Sequence, residues 1–129
     1  MRVLDDRTIM VVEDDPAIAL DLRLALVRAG GNVVGPANSV ASAFALMADN
    51  ALDGAILDVR LRNNELVFGL ADALDALRIP FVFASGRSSA LMPPRHRDRP
   101  FFDKPFQAAV VVEALAALIQ RSLSPRVQG

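Results

Sequence analysis

The sequence predicts an α/β domain, a parallel five-stranded sheet with crossover helices on both faces. Short apolar runs alternate with segments of helical periodicity, the pattern of parallel strands joined through helices. Each run is bounded by Gly, Pro, Asp or Asn, which end strands. The 129 residues, 53% hydrophobic and 22% charged, suit one compact core and leave no room for a second.

The first strand is expected over 9–12. Asp15 then caps a helix with Pro16 in its first turn, and Ile18, Leu22, Ala25 and Ala29 share one face of it. Gly30 and Gly31 stop that helix ahead of a second strand over 32–34. Ser39 caps the next helix, whose buried stripe is expected to be Val40, Phe44 and Met47. A third strand over 55–57 precedes a helix with Val67, Leu70, Ala71, Leu74 and Leu77 on its apolar side. The fourth strand, 81–84, leads into segment 88–100, where adjacent Pro93 and Pro94 break any helix that crosses them. The fourth helix is therefore expected to be short or disordered. A fifth strand over 101–102 and Pro105 introduce the last helix, with Val111, Leu115 and Leu118 on one face and Val110, Ala114 and Ala117 on another. The second face reads as alanine-rich surface slightly better than as a partner surface. The domain is expected to span 1–124, with 125–129 a flexible tail.

Composition removes whole classes of function. Net charge is −1, so no basic field draws in nucleic acid or a membrane surface. Cysteine is absent, which excludes disulfides, thiol nucleophiles and thiolate metal sites. The N-terminal apolar run ends at once in Glu13-Asp14-Asp15, unlike a signal peptide, and no apolar stretch is long enough to span a bilayer. A cytoplasmic protein is expected.

Open parallel sheets gather function at the carboxyl ends of their strands. Four of the five strands here end in polar residues: Glu13 and Asp14, then Asp58, Ser85 and Lys104. Clustered carboxylates repel unless a cation, a basic side chain or a proton offsets them. Each residue has a use if Asp58 accepts a phosphoryl group. Glu13 and Asp14 offer oxygen ligands for Mg²⁺, Lys104 offers a mobile positive charge for a phosphoryl oxygen, and Ser85 offers a hydroxyl to another.

This set, Glu13-Asp14, Asp58, Ser85 and Lys104-Pro105 in order and place, resembles the receiver domain of response regulators over nearly the whole chain. The resemblance implies the flavodoxin-like, doubly wound fold of the chemotaxis response regulator. It also implies Mg²⁺ held by Asp14, Asp58 and the Arg60 carbonyl, with Glu13 acting through water, and Phe101 as a switch aromatic. Ile79 to Arg87, followed by a proline-containing stretch, looks like the FATGUY branch, whose members are typically single-domain with an atypical fourth helix. Two departures stand out: Ser85 replaces the usual threonine, and Arg87 replaces a bulky apolar residue.

The expected function is a single-domain response regulator that takes a phosphoryl group from a phosphohistidine, on a histidine kinase or phosphotransferase, onto Asp58. Binding of a downstream protein would then switch, in a monomer or weak dimer that engages neither nucleic acid nor membrane. Arg60 and Arg87, two residues beyond Asp58 and Ser85, are expected to modulate the pocket, giving weak Mg²⁺ dependence and slow loss of the phosphoryl group. The alternative is a phosphorylation-independent interaction module. An aspartyl-phosphate hydrolase is disfavoured, because Arg60 stands where that chemistry wants a second acid. Outside the pocket, His96 is expected to be exposed, with no partner residues for metal ligation, the arginines around it to be solvated, and Asp15 to cap the first helix rather than bind metal.

Overall fold

The computed structural model describes residues 2–61, 64–86 and 92–123. Five parallel strands, β1 (Thr8–Val12), β2 (Asn32–Ala37), β3 (Gly54–Leu57), β4 (Phe81–Ser85) and β5 (Phe101–Asp103), form one sheet in the order β2-β1-β3-β4-β5. Four α-helices flank it among the described residues: α1 (Pro16–Arg28), α2 (Val40–Asp49), α3 (Phe68–Ala76) and α4 (Ala108–Leu123). The flavodoxin-like architecture is as the sequence predicts. Strand order reverses between β1 and β3, and that reversal opens a crevice outside their carboxyl ends.

Side chains alternate across a strand, so each central strand feeds two cores. Met10, Val12, Leu57, Phe81 and Phe83 pack with Ala43 of α2 and Leu70 and Leu74 of α3. Ile9, Val11, Ile56 and Val82 pack on the other face with Leu22 and Leu26 of α1 and Val111, Leu115 and Ile119 of α4. Both faces are therefore covered.

The helix starts follow their caps. Asp15 Oδ1 accepts from the amides of Ala17 and Ile18 at 2.9 and 3.3 Å, with Pro16 in the first turn. Ser39 and Ser42 close a reciprocal box, each hydroxyl accepting from the other's amide, at 3.1 and 3.3 Å. Gly30 ends α1 at φ +90°, where an added Cβ would also strike Asp5.

Several expectations need correction. β2 runs on to Ala37 through Gly35-Pro36, which reads as a turn in sequence; as an edge strand it tolerates a missing N–H. In α2 the fully buried position belongs to Ala43, and Phe44 is 41% exposed, one position off the stripe. Leu77 is 63% exposed because α3 stops at Ala76, before another turn could carry it inward. In α4 the buried set is Val111, Val112, Leu115, Ala116 and Ile119, with Leu118 only half-buried at its edge.

The largest correction concerns the β4–β5 connection. Its described part, 92–100, holds a single 3-10 turn, Pro94–His96, in keeping with the expected loss of a regular helix. His96, however, is 1% exposed, set among the rings of Phe68, Phe81 and Phe83 and beside Asp72 and Asp75. Its arginine neighbours are partly committed too: Arg95 pairs with Asp72 and Arg99 with Asp75. These partners lie more than 20 residues upstream on α3, beyond the reach of local pattern. Arg87 and the expected tail, 125–129, lie outside the described residues.

Candidate functional site: a carboxylate pocket at the sheet edge

Three backbone hydrogen bonds carry the sheet ladder just past the strand ends and fix the pocket. Glu13 donates its amide to the Ala37 carbonyl at 2.9 Å, Asp58 to Val12 at 2.9 Å and Lys104 to Ser85 at 3.0 Å. The side chains that follow converge. Glu13 is 2% exposed and Asp58 5%, Ser85 is fully buried, and Asp14 stands half-buried at the mouth. Carboxylate oxygens of Glu13, Asp14 and Asp58 all lie within 4.8 Å of one another, a grouping able to hold a metal ion.

Lys104 reaches into this cluster. Its Nζ is 3.1 Å from Asp58 Oδ2 and 3.0 Å from Glu13 Oε1. The Asp58 contact is a hydrogen bond, and Glu13 Oε1 is held by the same ammonium as an ion pair. Glu13 Oε2 accepts from the Asp15 amide at 3.1 Å. The peptide between Lys104 and Pro105 is cis.

The electrostatics follow from burial. Desolvation pushes the Glu13 carboxyl up to about 7, helped by the charge of Asp58 and opposed by the Asp15 amide and Lys104. Burial works against the charge on Lys104, but Glu13 and Asp58 together outweigh it and raise the ammonium above its ordinary value. Three carboxylates clustered beside one described lysine favour a further cation. Hard oxygen donors at this spacing fit Mg²⁺.

Glu13, Asp14, Asp58 and Lys104 thus come together, all read from the strand ends, and Ser85 stands buried at the end of β4 with its carbonyl accepting from the Lys104 amide. Phe101, half-buried on β5, lies with its ring 6.3 Å from that of Phe83. Arg60 is half-buried beside an antiparallel bridge to Leu66, and its Nε is buried without a hydrogen-bond partner. Asp15, read as a cap, also supports Glu13 through its amide, a role that only the fold reveals.

No protein-family model matches the sequence. Individual proteins do. SdrG from Sphingomonas melonis Fr1, whose structure is known in solution, is 44% identical; the likeness covers 92% of this chain and 99% of SdrG at a TM-score of 0.77. A response regulator receiver protein from Sinorhizobium medicae WSM419 is 26% identical over 91% of this chain and 97% of its own, at a TM-score of 0.76. The phyllosphere-induced regulator PhyR of Methylorubrum extorquens is 28% identical over 118 residues, and the chain spans only 43% of its length.

A sheet that gathers acids, a hydroxyl and a lysine at one edge, together with identity across nearly all of SdrG, makes this chain a member of the response regulator receiver family. Its role is that of a two-component response regulator; its receiver-domain relatives are regulators rather than conventional enzymes. Within the family, its likeness is to SdrG and to the receiver part of PhyR-type regulators. Among the described residues, no helix is long and apolar enough to cross a membrane.

Proposed function

We propose that the protein accepts a phosphoryl group on Asp58 from a phosphohistidine of a histidine kinase or phosphotransferase, and that the modification switches the binding of a downstream protein. The observation that carries this reading is Lys104 Nζ, 3.1 Å from Asp58 Oδ2 and 3.0 Å from Glu13 Oε1. An Asp58 carboxylate oxygen attacks phosphorus, the donor's N–P bond breaks, and its electron pair leaves with the imidazole. Lys104, already paired to the nucleophile, shifts to a phosphoryl oxygen as charge builds there. Ser85 then gives its hydroxyl to another phosphoryl oxygen, and Phe101 repositions in the space beside it.

Glu13 (through water), Asp14, Asp58 and the Arg60 carbonyl would hold Mg²⁺, which when bound neutralises phosphoryl charge. Arg60 and Arg87 serve as modulators; the buried Nε of Arg60 without a partner supports that role for Arg60. A phosphohistidine donor is charged from ATP, so the cytoplasm is the place of action.

Incubation with a phosphorylated kinase and Mg²⁺ should label the wild type and leave Asp58→Asn unlabelled. Label retained on Asp58→Asn would remove Asp58 from the acceptor role. Arg60→Ala is expected to shorten the phosphoryl lifetime and raise the dependence of conformation on Mg²⁺; an unchanged lifetime and metal affinity would end its part.

A further inference from the structure

Segment 92–99 joins β4 to β5 without a regular helix, yet it is pinned to α3. The His96 ring stacks on Phe68 with centroids 6.3 Å apart and planes 22° apart, and meets Phe81 and Phe83 edge-on at 6.0 Å each. Its Nε2 is 2.8 Å from Asp72 Oδ1. Its Nδ1 faces Asp75 Oδ2 at 3.8 Å and, though buried, has no hydrogen-bond partner. Arg95 gives two hydrogen bonds to Asp72, at 2.7 and 2.9 Å, and Arg99 pairs with Asp75 while lying 4.7 Å over the Phe81 ring. The charged groups around the imidazole are therefore two carboxylates on α3 and two guanidinium groups of its own segment. From β4 it meets phenyl rings.

A neutral imidazole carries one N–H. Placed on Nε2 it serves Asp72 and turns a lone pair toward Asp75; placed on Nδ1 it turns the lone pair toward Asp72 at hydrogen-bond distance. One contact is unmade or repulsive in either tautomer. Only the imidazolium offers an N–H to both carboxylates, and such charge-assisted contacts from a buried ring are stronger than those of a neutral one. We propose that 92–99 is a proton-operated clasp, locked to α3 when His96 is protonated and loosened when it is neutral, and coupled through Phe83 to the phosphoryl site.

The coupling half rests on the proposed function. Phe83 touches His96 on one side and Phe101 on the other, with ring centroids 6.0 and 6.3 Å away. Phe83 also lies two residues before Ser85 on β4, and Phe101 three before Lys104. A Phe101 that repositions on phosphorylation presses on Phe83, and Phe83 on the clasp. By reciprocity, a locked clasp resists the activated state.

Amide hydrogen exchange at His96, Arg97 and Arg99, whose amides donate to Pro93, Pro94 and His96, reads the clasp directly. After correction for intrinsic exchange, protection should fall roughly tenfold between about pH 5.5 and pH 8. Asp75→Asn, at a partly exposed position, keeps the Asp72 contact and should remove most of that pH dependence; His96→Gln should remove it all. Glu13 titrates in the same interval but is intact in Asp75→Asn, so the comparison isolates His96. Protection in the wild type that ignores pH, or falls equally in Asp75→Asn, overturns the clasp. BeF₃⁻ with Mg²⁺ should bind several-fold tighter at pH 8 than at pH 5.5 in the wild type, and with a clearly smaller difference in Asp75→Asn. Binding with the same pH dependence in both overturns the coupling. A wild type that binds no BeF₃⁻ at either pH contradicts the phosphoryl reading and the coupling with it, while the exchange result still decides the clasp.

Discussion

Glu13 shows most clearly how backbone position becomes chemistry. Its amide donates a hydrogen bond to the Ala37 carbonyl, which fixes the residue one step past β1, and that position buries a carboxyl beside Asp58 with Lys104 within reach. Burial raises the carboxyl from 4.5 to about 7. The folded state therefore holds a proton that the unfolded chain has released, and stability falls as pH rises through that window. Thermal unfolding of the metal-free protein should show a decline on the order of 2 kcal/mol between about pH 5 and pH 8. Glu13→Gln should flatten much of it, and saturating Mg²⁺ should offset it in the wild type. A decline that survives Glu13→Gln unchanged would place its origin elsewhere. The acids and the lysine were legible in sequence because residues following apolar strands land at the sheet edge. His96 was not, since nothing in Arg95-His96-Arg97 announces carboxylates on a helix more than 20 residues upstream.

The elements were legible where local rules govern them and misread where tertiary packing decides. Asp15 and Ser39 cap as their types require. Ser39→Ala opens the reciprocal box with Ser42 and should cost about 1 kcal/mol in urea unfolding. Phe44 misled because a large apolar side chain suggests burial, yet the fully buried position of α2 is Ala43, with Val40, Leu46 and Met47 packed against the core around it. The Gly35-Pro36 pair misled because an edge strand accommodates what a central strand would reject. Leu74, fully buried between α3 and the sheet, carries real packing energy: Leu74→Ala should destabilise the fold by roughly 2–4 kcal/mol. It should also loosen 92–99, since Asp72 and Asp75 flank it on the same helix. A loss under about 1 kcal/mol would mean that the core collapses onto the space left behind.

At the scale of the whole molecule, the sheet order explains why chemistry converges at one edge. Strands β1, β3, β4 and β5 each end there, and the reversal between β1 and β3 puts the acidic pair next to Asp58. Among the described residues, no second metal-ligating cluster lies at the opposite ends of the strands. Helices α3 and α4 and segment 92–99 surround β4 and β5, so a change at Lys104 or Ser85 meets packed rings before it meets solvent. Under the proposed function, phosphorylation of Asp58 shifts a two-state packing arrangement, and output follows from the population of each state. Everything depends on one covalent event. Phosphoramidate supplies a phosphoryl group from a P–N bond without any kinase, and mass mapping after trapping of the acyl phosphate identifies the carboxylate that received it. With Mg²⁺ present, a single modified peptide centred on Asp58 is expected, with yield lost in Asp58→Asn and sharply reduced in Lys104→Ala. Modification at another carboxylate, or none at all under conditions that label a known receiver, would contradict it.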